Sequence, residues 1–335
     1  MNSVAFFEIE DWEKEYLKER TPDASFLFTD KKVQEETNEE MFQAEILSPF
    51  IYSELSKENL EKFPNLKMIA TRSTGFDHID LDYCKEKGII VCNVPSYGAH
   101  AVAEHTFALL LAISRKIVPT VEQSRRGNYE LKGLAGFDLA GKTMGVIGTG
   151  KIGGKVIQLA RAFEMKVLVY THHPEEFAGQ EGISSVPLEE LLKQADVVTL
   201  HLPHTPQTHH IINHDNIKLF KKGSVLLNTA RGPLVETQAI LEGLESGILS
   251  GAGLDVLEEE CNLKEERELL HDEYVQKCDL KTQLMDHVLI NRDDVLFTSH
   301  NGFHSKEAVR QILDVSAENI EAFIKGSPQN VVAKE

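Results

Sequence analysis

The sequence predicts an α/β protein with two Rossmann-like parallel sheets, each covered by helices. Three observations predict it. Short apolar runs alternate with helical stretches in two successive series, a glycine-rich turn joins a strand to a helix near position 150, and 335 residues exceed one typical domain. A 41% hydrophobic and 26% charged composition is that of a globular chain with a sizeable core.

In the first series, Val4–Phe7, Ser25–Phe28, Ala44–Ser48, Lys67–Thr71 and Ile89–Asn93 read as strands. Ser56–Lys62 and Ile79–Lys87 read as helices that end at Pro64 and Gly88. A long helix is predicted from about His100 to Lys116, burying Ala103, Phe107, Leu110, Leu111 and Ile113. Its apolar excess also suits a subunit contact. The second series predicts strands at Thr143–Ile147, Lys166–Tyr170, Val197–His201, Ser224–Asn228, Gly251–Leu254 and Val295–Thr298. Helices are predicted at Lys151–Phe163, Leu188–Gln194, Thr237–Ser246 and Ser305–Lys325. The acidic segment Glu258–Asp293 interrupts this series with mixed helical character.

Composition excludes several functions. A net charge of −18 repels phosphate backbones, so no nucleic-acid partner is expected. No window approaches the ~18 uninterrupted apolar residues of a membrane helix. The opening MNSVAFFEIEDWEKE has no basic region before its apolar run, unlike a secretory signal. Cys84, Cys92, Cys261 and Cys278 form no CxxC pair, so neither a metal site nor a disulfide framework is expected, and a reducing cytoplasm fits. Each cysteine reads as a small packing residue, with no local signature of a nucleophile.

Gly148-x-Gly150-x-x-Gly153 follows the apolar run Met144–Ile147 and opens a helical pattern, the context that gives such a motif meaning. Gly148 allows the tight turn, Gly150 the approach of a pyrophosphate, and Gly153 close helix–strand packing. The helix N-terminus, with Lys151 and Ile152, offers unpaired N–H groups and a positive dipole end. The next strand ends Val169-Tyr170-Thr171-His172-His173. Thr171 stands where an acidic residue holds the ribose 2′-hydroxyl of NAD. No arginine stands there for a 2′-phosphate either, so NAD and NADP both stay open.

Arg231, Glu260 and His300 each lie just past a predicted strand, where ligands bind an α/β sheet. A guanidinium fork suits a carboxylate. A histidine beside a carboxylate can hold a proton near neutrality and donate it to a carbonyl under reduction. Taken singly, the arginine reads equally as a surface ion pair, the glutamate as part of an acidic face, and the histidine as a satisfied polar residue. Their joint placement after a dinucleotide loop favours chemistry.

From about Ser48 to Asn330 the chain resembles the D-isomer-specific 2-hydroxyacid dehydrogenase family, and within it the lactate branch. Asn228-Thr229-Ala230-Arg231-Gly232 matches the family's substrate-arginine motif, Leu254-Asp255-Val256 with Glu260 its glutamate segment, and His300 its late histidine. The resemblance implies that backbone amides of Thr74 and Gly75, in Arg72-Ser73-Thr74-Gly75-Phe76-Asp77, hold the substrate carboxylate. It implies that Tyr52, Tyr97 and Phe303 line the substrate pocket, each equally credible as a core aromatic. It places Leu202, Pro203, Thr208, Thr229, Ala230 and Arg231 near the cofactor and Asp255 at its carboxamide. Thr171, Asn301, Gly302, His304 and Cys261 depart from the commonest family residues.

The resemblance implies a substrate domain of residues 1–99 plus 302–335 and an NAD(P)-binding domain of residues 100–301. The implied reaction is reduction of a small 2-oxo acid, pyruvate first, to the D-2-hydroxy acid by a homodimer. Arg231 would bind the acid, His300 would donate the proton, and Glu260 would keep His300 charged. Related alternatives are a glyoxylate/hydroxypyruvate reductase and a phosphoglycerate dehydrogenase. A further alternative is a nucleotide-sensing binding protein without catalysis.

Overall fold

The structure, a computed structural model, describes residues 3–20, 25–95, 97–258 and 279–332. The chain divides into two compact units, one of Met1–Gly98 with His304–Glu335, the other of Ala99–Phe303. Phe303 therefore falls in the second unit.

The first unit carries a five-stranded sheet of β1 (Ser3–Phe6), β2 (Ser25–Phe28), β3 (Ile46–Ser48), β4 (Met68–Ala70) and β5 (Ile90–Cys92). The order is β2-β1-β3-β4-β5, with every pairing parallel. Parallel strands need crossovers, and helices on the crossovers cover both faces. Successive residues therefore point into different cores. Val4 and Phe6 pack with Leu313, Ala317 and Ile320, whereas Ala5 and Phe7 pack with Leu55, Phe63 and Cys84.

The second unit carries β6 (Thr143–Ile147), β7 (Lys166–Tyr170), β8 (Ile183–Ser185), β9 (Val197–Leu200), β10 (Ser224–Asn228), β11 (Leu249–Leu254) and β12 (Val295–Phe297). The order is β12-β11-β10-β9-β6-β7-β8, again all parallel. It reverses between β6 and β9, the switch point of a doubly wound sheet. Leu226 joins the core on one face, and Val225 and Leu227 join the other.

The long apolar helix runs Ala99–Ser114 and stops short of Lys116. The N–H of Phe137 donates to the Ser114 carbonyl at 2.9 Å, and Lys116 turns to φ 53°. A second helix, Ile117–Arg125, starts there with no buried residue, which left no amphipathic signal to detect. The strand β8 and the early helix Asp11–Arg20 also went unforeseen. Of the acidic segment, Leu280–Ile290 is helical, and residues 259–278 lie outside the described residues.

Candidate active site

The glycine loop sits at the sheet's switch point. Gly148 follows β6 at φ 94°, a backbone state that side chains disfavour. A Cβ there would also strike the carbonyl of His201, which follows β9. At Gly153 a Cβ would overlap the Gly148 carbonyl, so the helix Lys151–Ala162 lies hard against the turn. Around Gly150 there is open space. That helix begins without a side-chain cap, leaving its first amides turned toward the opening. The alignment of free N–H groups, dipole and open space fits the pyrophosphate of a nicotinamide dinucleotide.

Thr171 closes β7 with its hydroxyl 2.7 Å from the hydroxyl of Thr149, inside the glycine loop. Its oxygen also accepts the His173 N–H at 3.1 Å. Position 171 therefore faces the phosphate loop with a neutral hydroxyl. On the opposite wall, Leu202 is half-buried and Pro203 exposed. The Thr208 hydroxyl donates to the Pro203 carbonyl at 2.7 Å and so closes the turn that carries both.

His201 anchors that wall. Its Nε2 lies 2.9 Å from the Thr199 hydroxyl, while Nδ1 is sealed and unpartnered among the described residues. Burial pushes its pKa down to about 3.

Three neighbouring strands deliver the next group of residues. Past β10, Asn228 is buried and shapes the turn: its carboxamide accepts the Ala230 N–H at 3.1 Å and donates to the Arg231 carbonyl at 2.9 Å. Thr229 is tied to Thr106 through their hydroxyls at 2.8 Å. The Arg231 guanidinium is half-buried, and Nη1 donates to the Ala230 carbonyl at 2.7 Å.

Past β11 stands Asp255, only 2% exposed. Its Oδ1 accepts from the Thr298 hydroxyl at 2.5 Å and from the Asn301 N–H at 2.8 Å, and its Oδ2 accepts from the Gly302 N–H at 2.8 Å. His105 Nε2 lies 3.3 Å from Oδ1 and 2.9 Å from the Thr298 hydroxyl. Burial works to raise the Asp255 pKa, but the hydrogen bonds from His105, Thr298, Gly302 and Asn301 outweigh it and hold the carboxyl below its usual value.

Past β12 stands His300, half-buried, with φ 52°. Its N–H donates to the Asp255 carbonyl at 2.8 Å, and its ring meets Phe303 edge-on at 6.3 Å. A left-handed backbone at a histidine is sparsely populated, and the Asp255 bonds are what over-determine it. They also explain Gly302, one of the departures in the sequence: a Cβ there would press on the Asp255 carboxylate.

The structure thus gathers Arg231, Asp255 and His300 at the carboxyl ends of β10, β11 and β12. Glu260 lies outside the described residues, as do Cys261 and Cys278. Sequence reasoning missed His105 and Thr149. It also missed that Asp255 braces the histidine loop, a role signalled only by the Thr298 and Gly302 partners that it meets in space.

In the first unit, Thr74 and Gly75 follow β4. Their N–H groups form no backbone hydrogen bond among the described residues, and the turn is set by the Thr74 hydroxyl on the Val94 carbonyl at 2.7 Å and the Ser73 hydroxyl on the Gly75 carbonyl at 2.6 Å. Tyr52 follows β3, is 52% exposed and stacks edge-on with Phe50 at 6.0 Å; Tyr97 is half-buried. Cys84 and Cys92 are buried, and desolvation pushes each thiol up to about 11, which fits packing residues.

A family model described as D-isomer specific 2-hydroxyacid dehydrogenase, NAD binding domain, matches residues 107–302. The chain is 32% identical over 330 residues to the D-lactate dehydrogenase of Escherichia coli (strain K12), covering 96% of this chain and 97% of that one. It is 33% identical over 338 residues to a glyoxylate reductase of Pyrococcus furiosus, covering 98% of this chain and 90% of that one. The crystal structure of D-lactate dehydrogenase from Aquifex aeolicus complexed with NAD and lactic acid matches with a TM-score of 0.83 at 37% identity, covering 97% of this chain and 96% of that one.

Proposed function

The chain belongs to the D-isomer-specific 2-hydroxyacid dehydrogenase family, and from that premise we propose that it reduces a small 2-oxo acid, pyruvate first, to the D-2-hydroxy acid. The observation that carries the reading is the placement of Arg231 past β10 and His300 past β12, the two strands that flank β11, in a sheet whose switch point holds the glycine loop.

Arg231 binds the substrate carboxylate and polarises the carbonyl, for which a planar fork is suited. The amides of Thr74 and Gly75 offer the carboxylate further donors. His300 gives its ring proton to the carbonyl oxygen as the carbon is reduced, and Glu260 keeps the imidazole charged between turnovers. Tyr52, Tyr97 and Phe303 shape the space for the substrate's side chain. The dinucleotide, when bound, supplies the hydride. Gly148, Gly150, Lys151, Ile152 and Gly153 hold its pyrophosphate, Thr171 faces its ribose, and Leu202, Pro203, Thr208, Thr229 and Ala230 frame the rest.

NAD leads in this reading, with appreciable use of NADP, because Thr171 carries no charge to repel a 2′-phosphate. A second reading, reduction of glyoxylate, is favoured by the similarity to the Pyrococcus furiosus reductase. The working form is a homodimer. Ile117, Val118, Val121, Tyr129 and Leu131 expose apolar surface on one stretch of the second unit, and a second copy of the chain is the occupant that would cover it.

The test is a panel of pyruvate, glyoxylate and hydroxypyruvate with NADH and with NADPH, followed by nicotinamide absorbance. Highest kcat/KM on pyruvate with D-lactate as product supports the reading. A preference for glyoxylate moves the protein to the second reading, and no turnover of any acid removes both.

A further inference from the structure

The first unit has its own switch point, between β1 and β3, where the strand order turns back. Such a crevice is where parallel sheets take ligands. The residues that follow these strands converge on one carboxylate. Glu8, two residues past β1, accepts from the Tyr52 N–H on Oε1 at 2.9 Å. Its Oε2 accepts from the Phe50 N–H at 3.0 Å and from the Ser53 hydroxyl at 2.5 Å. Three donors of a single turn, the one that presents Tyr52, therefore end on one side chain.

Arg72 closes the arrangement from β4. It is 2% exposed, and its guanidinium donates to the carbonyls of Phe7 and Glu8. Its backbone N–H donates to the Pro49 carbonyl at 3.0 Å, and the guanidinium lies 5.6 Å from the Phe50 ring centre. An ion pair with Glu13 at 3.6 Å helps to compensate its buried charge. The turn at 49–53 is thus clamped between Arg72 and Glu8, and Arg72 also opens the segment whose Thr74 and Gly75 amides the proposed function assigns to the substrate carboxylate. Glu8 itself sits at φ 52°. Glycine adopts that conformation freely and glutamate does not, so the position keeps its carboxylate in spite of the backbone.

We propose that Glu8 is a positioning residue that sets the side-chain selectivity of the substrate pocket by holding the Tyr52 turn. The inference rests on the reading that Tyr52 faces the side chain of a 2-oxo acid. A carboxylate offers acceptors only, which is what three converging donors require. A glutamine there would turn an NH2 group toward at least one of them, and a glycine would remove every acceptor while relaxing the backbone. Either change frees the turn, and a freed Tyr52 discriminates less between a methyl and a branched side chain.

The experiment compares the parent protein with Glu8→Gln, Glu8→Gly and Ser53→Ala. Pyruvate and 4-methyl-2-oxopentanoate are the substrates, with NADH in excess, and NADH affinity is read separately by fluorescence. Both Glu8 variants should lower the pyruvate-to-branched-acid ratio of kcat/KM by about fivefold or more, chiefly through KM for pyruvate. Ser53→Ala, which removes one bond of the three, should move the ratio the same way by about twofold, and it keeps the test open if a Glu8 variant folds poorly. NADH affinity should not change. A parent that turns over both acids, with every variant holding the parent's ratio, overturns the role of Glu8 and leaves the functional reading standing. A parent that turns over neither acid overturns the functional reading itself.

Discussion

His300 is tied to Asp255 through the backbone: its N–H donates to the Asp255 carbonyl at 2.8 Å, while the Asp255 carboxylate takes the amides of Asn301 and Gly302. One buried acid therefore fixes the whole loop that presents the proton donor. Asp255→Asn keeps the size but replaces one acceptor by a donor facing an N–H. The loop should shift, and because small misplacements cost about 100-fold in rate, kcat should fall by about that factor. Steady-state kinetics with substrate in excess checks it, and an unchanged kcat would detach Asp255 from the loop's function.

Arg231→Ala should abolish most turnover and leave NADH binding nearly intact, because Arg231 lies past β10 and its Nη1 donates to the Ala230 carbonyl there. Arg231→Lys should recover little, since an ammonium cannot offer two coplanar donors. Titration of NADH fluorescence beside turnover separates the two effects. Equal loss of both would contradict the assignment.

Thr171→Asp should suppress NADPH oxidation far more than NADH oxidation. The Thr171 hydroxyl lies 2.7 Å from that of Thr149, so a carboxylate placed there stands beside the phosphate loop and repels a 2′-phosphate. The check is the NADPH-to-NADH ratio of kcat/KM before and after the change. A ratio that does not drop would mean that position 171 does not meet the ribose.

Stability should decline in mild acid partly through His201. Its folded pKa, depressed by burial to about 3, lies below the unfolded value of about 6.5, so the unfolded chain binds the proton first. The contribution is complete above about pH 6.5 and is lost progressively as pH falls toward 3, with a slope of up to about 1.4 kcal/mol per pH unit. Partial exposure of the residue lessens the depression and so narrows the pH window over which that slope applies. Urea unfolding of the parent and of His201→Asn between pH 7 and about 4 compares the two slopes. Parallel curves would show that His201 does not titrate on unfolding.

The two series of strands and helices were legible because a parallel strand is an apolar run and its crossover helix an amphipathic one. Period and punctuation alone locate β6, the helix Lys151–Ala162 and the positions of Arg231 and His300. The same local signals could not reveal the helix Ile117–Arg125, which buries nothing, or the break at Ser114, whose carbonyl is claimed by Phe137 from far along the chain. Residue types and their place after strands were thus fixed by local sequence. What Asp255, Glu8 and Thr171 do was decided by tertiary structure, because each acts through hydrogen bonds to residues 22 to 47 positions away. A hydrogen bond depends on distance and direction in space, and only the folded sheets bring those partners together.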